Sequence, residues 1–268
     1  MRSGTLDAGR DELNLSLTME VGQTFAWHHV TGGNLYRDEG DGRYYVTQDG
    51  DVLILWQDGD TLHYEATGGM EHQVEDRLRL HESLSDIRTT LRGRDQVLDE
   101  ALERYRGLRI LQDDFFPCLI SYLCSVQMRI PRIKELYDTL AREYGQVVEY
   151  DGREFLQFPT VQQLAEASEE ELRDLGVGYR AKYIAETTDQ LMRGEVTEEE
   201  LAAMTYRDAH ETIQDLYGVG DKVADCVLLF SLGKLEAFPL DTWAWRAIEQ
   251  YYPEDARESE AAEAVEAE

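Results

Sequence analysis

One stretch of this chain constrains its fold more than any other: Leu216-Tyr217-Gly218-Val219-Gly220-Asp221-Lys222-Val223-Ala224-Asp225-Cys226. A short helical segment, 209–216, runs into Gly218. An apolar helix starts near Lys222 and runs to Gly233, a residue type that closes many helices in the left-handed conformation. Gly218 and Gly220 suit a tight turn with positive φ, and neither puts a side chain between backbone and partner. The pattern is helix, Gly-x-Gly hairpin, helix. Free N–H groups at the second helix start suit an anion such as a backbone phosphate. Lys222 stands at the mouth of that hairpin. Asp241 follows 19 residues later, after Phe238-Pro239-Leu240, where it can cap a third helix over 242–251.

A phosphate-gripping hairpin sits oddly with the charge. The 268 residues carry 55 acidic and 26 basic side chains, a formal charge of −29, whereas a nucleic-acid-binding domain normally shows a basic footprint. A hydrophobic content of 42% argues against disorder as the explanation. The acids are spread along the whole chain, which suggests the surface of a protein working in molar salt, where the Debye length falls to about 3 Å. Cys118, Cys124 and Cys226 lie in apolar runs and read as reduced thiols of a cytoplasmic, nucleoid-associated protein. No four-cysteine cluster follows Asp241, so no iron–sulfur cluster is expected. No zinc spacing, signal peptide or membrane-length apolar run occurs.

The fold class read from the chain is α+β, an N-terminal antiparallel sheet domain followed by an all-α helix-hairpin-helix domain. Residues 1–12 are polar and expected to fray. Leu13 to Leu17 alternates like a strand, and 44–47, 52–56 and 62–64 are three more candidates, separated by Asp49-Gly50 and Asp58-Gly59 hairpin signals. One face of this meander is expected to be covered by later helices. Helical spacing begins over 78–84 and 96–108. Asp113 or Asp114 should cap a core helix over 115–128, and Pro131 sits in the first turn of the next. Gly145 ends that helix, Thr160 opens a short one, and Gly176-Val177-Gly178 makes a second tight turn before a helix over 180–192. The expected division is 1–105, 106–253 and an acidic tail over 254–268 with seven acids and one arginine.

Four ordered blocks resemble the helix-hairpin-helix DNA glycosylase superfamily, and within it the 8-oxoguanine DNA glycosylase family. They are Gly22-Gln23-Thr24-Phe25-Ala26-Trp27, Tyr122-Leu123-Cys124-Ser125 through Arg132-Ile133, Leu175-Gly176-Val177-Gly178-Tyr179-Arg180-Ala181-Lys182-Tyr183, and the hairpin with its following Pro-x-Asp. The resemblance implies Lys222 as nucleophile and Asp241 as its acidic partner. It implies base recognition at the Gly22 carbonyl and at Cys226, and DNA contacts from Gln127, Arg132, Tyr179, Arg180, Gly218, Gly220 and Trp243. It also implies a monovalent cation held by the Leu216 and Val219 carbonyls, with no other cofactor. Read without the resemblance, Gly22 is a bulge or turn glycine, Gln127 a partly buried helix-end amide and Tyr179 a packed ring. Arg132 and Arg180 are then solvated charges, and Lys222 a phosphate-binding lysine. The chain departs from the family where Gln127-Met128-Arg129 replaces an asparagine run, where Trp243 replaces a histidine, and after residue 253, where the family continues with helices that stack on the flipped base.

Cleaving an N-glycosidic bond needs a nucleophile at C1′ and help for the departing base. A lysine serves only when neutral, and burial at a helix start favours that form. A nearby ionised aspartate can stabilise the oxocarbenium-like sugar and move protons. The expectation is therefore a monomeric base-excision glycosylase with AP-lyase activity, acting on double-stranded DNA that contains oxidised purine, with no membrane partner. Two alternatives stay open: an alkylpurine glycosylase using Asp241 alone, and a helix-hairpin-helix DNA-binding protein without turnover.

Overall fold

A computed structural model describes residues 2–9 and 12–253 of the chain. The expectation of an acidic, disordered tail over 254–268 lies outside the described residues. Five strands form one antiparallel sheet: β1 (Arg2–Asp7), β2 (His28–His29), β3 (Arg43–Gln48), β4 (Asp51–Asp58) and β5 (Thr61–Ala66), in the spatial order β1-β5-β4-β3-β2. Asp49 and Gly50 both take positive φ, 51° and 84°, the backbone that a two-residue hairpin matched to strand twist requires.

Two N-terminal expectations fail. Residues 2–7 do not fray; they pair with β5 along its whole length, Leu6 opposite Leu62. The Leu13–Leu17 stretch is not a strand but leads into helix α1 (Leu15–Glu20), whose first turn is capped by Asn14, Oδ1 accepting from Leu17 N at 3.0 Å. Leu15, Thr18 and Met19 are buried, and this i, i+3, i+4 spacing overlaps an alternating pattern over so short a run.

The sheet is covered on both faces rather than one. Val52-Leu53-Ile54-Leu55 are all buried. Leu53 and Leu55 join the main core, while Val52 and Ile54 pack with Tyr45, Val148 and Phe155 in a second, smaller one. The second core is roofed by a hairpin of β6 (Gln146–Tyr150) and β7 (Arg153–Gln157), turned at Asp151-Gly152 with φ of 50° and 70°.

Helices α2 (Val74–Arg77), α3 (Leu84–Leu91) and α4 (Gln96–Arg104) lead to α5 (Phe115–Ser125), which has nine of its eleven residues buried. Asp114 holds the cap position of α5 but sends its carboxylate to Arg77, 2.9 Å away; Asp113 is buried and accepts from Thr24 Oγ1 at 2.5 Å. The remaining helices are α6 (Ile130–Tyr144), α7 (Val161–Leu164), α8 (Glu169–Leu172), α9 (Arg180–Met192), α10 (Glu198–Ala203), α11 (Tyr206–Ile213), α12 (Asp221–Phe230) and α13 (Thr242–Tyr251). α5 is the centre, with α6, α9 and α12 packed around it.

Sheet and helices are tied where α6 crosses β2. Lys134 is fully buried and donates to Asp138 Oδ1 at 2.6 Å, one turn on. Its ammonium lies 2.8 Å from His28 Nδ1, and His28 stacks on Tyr45. Burial pulls the Lys134 amine down to about 8, against the Asp138 charge that raises it. Near the start of the same helix, Asn34 Nδ2 donates to the Pro131 carbonyl at 2.9 Å. The first turn of α6 is thus set by the N-terminal sheet region.

Candidate active site

The hairpin is built as its glycines suggest, with one difference. Val219 N donates to the Leu216 carbonyl at 3.1 Å across the turn. Gly218 has φ +88° and lies so close to the Tyr183 ring that a Cβ there would stand 2.6 Å from Cγ. Gly220, by contrast, has φ −109° and faces open space. Positive φ therefore explains Gly218 only. Gly220 caps α12 and leaves its first N–H groups uncovered, the arrangement that suits an approaching anion.

Lys222, in the first turn of α12, is half-buried. Its Nζ donates to Ser125 Oγ at 3.1 Å and lies 4.8 Å from the centre of the Tyr122 ring. The Tyr122 hydroxyl in turn donates to the Gln23 carbonyl at 2.8 Å. One turn on from Lys222, burial pushes the Cys226 thiol up to about 11. The Lys222 charge opposes that rise, and the Asp225 and Asp241 charges add to it. Asp241 caps α13, its Oδ1 accepting from Trp243 N and Ala244 N, each at 2.9 Å. Trp243 is 70% exposed and Phe238 63%. No described residue of α13 is buried.

A second cluster sits on the turn between α5 and α6. α5 ends at Ser125, three residues short of the expected Met128, because Gln127 takes φ +53°. The Gln127 side chain is exposed. Arg180 is not a solvated charge. It is 6% exposed and donates Nε to the Val126 carbonyl at 2.9 Å, with further contacts from Nη2 to the Val126 and Gln127 carbonyls. Its guanidinium also stacks on Tyr179, 4.5 Å from the ring centre. Tyr179 is 47% exposed, beside Tyr183. Arg132 pairs with Glu135 at 3.0 Å and passes over Gly176, where a Cβ would stand 2.9 Å from its Nη2.

Gly22 lies in a bend after α1, not in a strand, with φ +90°; a Cβ there would stand 2.6 Å from Ile130 Cδ1. Its neighbours in the block are structural. Gln23 is buried and bonds the Thr18 and Arg109 carbonyls and Leu111 N, and Trp27 is fully buried. Tyr122 and Ser125 lie in one of the sequence blocks but carry no role there. Their i, i+3 spacing at the end of α5, facing the hairpin helix, was the available signal. Among the described residues no three His, Cys, Asp or Glu side chains are grouped to hold a metal ion, and no helix is long and apolar enough to cross a membrane.

A sheet-plus-hairpin chain with a lysine at the hairpin mouth has known counterparts. A family model described as HhH-GPD superfamily base excision DNA repair protein matches residues 120–268, and one described as 8-oxoguanine DNA glycosylase, N-terminal domain, matches residues 5–119. This chain belongs to the HhH-GPD superfamily. The HhH-GPD chain is 34% identical over 248 residues to the Arabidopsis thaliana protein named N-glycosylase/DNA lyase OGG1, covering 90% of this chain and 66% of that one. It is 31% identical over 274 residues to the Saccharomyces cerevisiae N-glycosylase/DNA lyase, covering 93% and 71%. The Clostridium acetobutylicum 8-oxoguanine glycosylase/lyase, solved with double-stranded DNA containing cytosine opposite 8-oxoG, superposes with a TM-score of 0.83 at 29% identity, over 93% of this chain and 83% of that one. The chain spans 66% and 64% of the length of the Arabidopsis thaliana and Methanothermobacter thermautotrophicus relatives. A 3-methyladenine DNA-glycosylase from Archaeoglobus fulgidus shares the fold, with a TM-score of 0.76 at 21% identity.

Proposed function

We propose that this protein is a bifunctional DNA glycosylase and AP lyase that removes 8-oxoguanine from duplex DNA through an imine on Lys222. The observation that carries the reading is the placement of Lys222: half-buried, at the start of the hairpin helix, bonded to Ser125 and beside the Tyr122 ring. The nucleotide must leave the stack to reach such a group. The Lys222 amine forms a bond to C1′ as the C1′–N9 bond breaks, and the base leaves with that electron pair and takes up a proton. Loss of a proton from nitrogen and opening of the C1′–O4′ bond give the imine. Removal of a C2′ proton then expels the 3′ phosphate. Asp241 stabilises the positive sugar and moves protons.

The other roles follow from the same resemblance. The Gly22 carbonyl and the Cys226 thiol face the flipped base. Gln127, on a left-handed turn and exposed, fills the gap in the duplex, with Tyr179 stacking beside it. Arg132 and Arg180 read the opposite base, which requires Arg180 to release the Val126 carbonyl. Gly218, Gly220 and Trp243 approach the DNA backbone, and the Leu216 and Val219 carbonyls bind a monovalent cation. The division at residues 105 and 253, action as a monomer beside the nucleoid, and an acidic surface suited to molar salt complete the reading.

A 5′-labelled duplex with 8-oxoguanine opposite cytosine tests it. The wild type is expected to release the base and nick the strand, and Lys222→Gln to do neither while binding the duplex. Base release without nicking by the wild type would replace this reading with the monofunctional one.

A further inference from the structure

We infer that Ser125 is the positioning residue of the lysine: its hydroxyl fixes one N–H of Lys222 and so aims the amine lone pair. The inference rests on Lys222 being the nucleophile. Ser125 Oγ lies 2.6 Å from the Tyr122 carbonyl and 3.1 Å from Lys222 Nζ. A carbonyl only accepts, and a hydroxyl has one proton. That proton therefore goes to Tyr122, and toward the lysine Ser125 can only accept. The contact is an N–H···O bond in both protonation states of the amine.

A neutral amine has two N–H bonds and one lone pair in tetrahedral array. Ser125 takes one N–H. The face of the Tyr122 ring, 4.8 Å from Nζ, is the neighbour for the second. Both neighbours lie on α5, so the lone pair is left pointing away from that helix. A lysine stem otherwise samples many rotamers, and holding the attacking atom in line is one of the larger sources of rate in a bimolecular step.

Ser125 also belongs to the turn that carries Gln127. Its own carbonyl accepts from Met128 N at 3.1 Å, and the next carbonyl, Val126, is the one Arg180 holds at 2.9 Å. The amine is thereby referenced to the turn that Arg180 clamps, and not only to its own helix. In the step concerned, on a ring-opened abasic site, Nζ adds to the C1′ aldehyde carbon. The carbonyl oxygen takes up protons and leaves as water while C=N forms, with no oxidant or metal required.

The test is the single-turnover rate of borohydride-trapped adduct on an abasic duplex, measured at a series of fixed pH values. Affinity for a duplex with a tetrahydrofuran site, which cannot form an imine, and the melting temperature are measured in parallel. Ser125→Ala is expected to slow trapping about tenfold at every pH, with affinity and melting within error of wild type. Ser125→Thr, which keeps the hydroxyl, should stay within about threefold of wild type. Ser125→Cys keeps the size but accepts weakly; it should match Ser125→Ala, and it carries the test if alanine loosens the end of α5. Trapping by Ser125→Ala and Ser125→Cys at the wild-type rate, while Lys222→Gln traps nothing, would overturn the inference and leave Lys222 as the nucleophile. A threonine variant as slow as alanine would also overturn it, by assigning the loss to the helix end. A wild type that releases base but never traps would remove the nucleophile reading itself.

Discussion

Asp241 combines a structural contact with a proposed chemical one, because the oxygen that caps α13 belongs to the carboxylate proposed to act on the sugar. Two backbone N–H groups converge on Oδ1 at 2.9 Å. Asparagine caps helices as well as aspartate does, whereas alanine at such a site costs about 1 kcal/mol. Asp241→Asn is therefore expected to melt with the wild type but to release base roughly a hundredfold more slowly or worse, and Asp241→Ala to lose both rate and stability. Equal rates for wild type and Asp241→Asn would exclude the charge from the chemistry. At this scale the hairpin position of Lys222 and the cap position of Asp241 were legible in the sequence, and their surroundings less so. Lys222 and Asp241 stand in short motifs whose turn and cap chemistry is local. Arg180 reads locally as a solvated charge because the Val126 and Gln127 carbonyls that hold it lie 54 and 53 positions away. Lys134 looks like an ordinary i, i+4 partner of Asp138 on an amphipathic helix, and only its packing against His28 makes it a buried group.

The hairpin offers a paired test at the level of the element. Gly218 has a left-handed backbone and a ring against it, while Gly220 has neither. Gly218→Ala should lower stability by about 1–3 kcal/mol, through strain and overpacking together. Gly220→Ala should leave melting nearly unchanged yet weaken duplex binding, since its methyl would project where a phosphate approaches the α12 N–H groups. Equal stability losses, or full duplex affinity in Gly220→Ala, would contradict the hairpin as a backbone-binding element. Strands β3 to β5 and helices α5, α6, α9 and α12 were legible because turn signals and apolar runs are long there. Of the β6–β7 hairpin only an extended run over 155–159 is legible, although Asp151-Gly152 gives the same turn signal as Asp49-Gly50. The unbroken apolar run of β4 already implied a second covered face.

For the whole molecule the dominant quantity is the charge of −29. Self-repulsion of that size opposes compactness at low ionic strength. Raising KCl from about 0.1 M to above 1 M shortens the Debye length from about 10 Å to about 3 Å, and melting temperature is expected to rise with it. Surface pairs such as Arg173–Glu169 and Arg207–Glu211 weaken over the same range, but exposed pairs contribute only about 0–1 kcal/mol each, less than the relief of repulsion among the excess acids. A melting temperature that is flat or falls with salt would remove the high-salt reading without touching the site.

In the proposed reaction one amine, Lys222 Nζ, becomes covalently joined to C1′ of the damaged nucleotide. Borohydride reduction during turnover on an 8-oxoguanine duplex, followed by proteolysis and mass spectrometry of the DNA-linked peptide, measures it directly. The expected result is a single adduct in the peptide that spans Asp221 to Cys226, with the mass on Lys222. An adduct on Lys182 or on the N-terminal amine, or one that persists at full yield in Lys222→Gln, would place the nucleophile elsewhere.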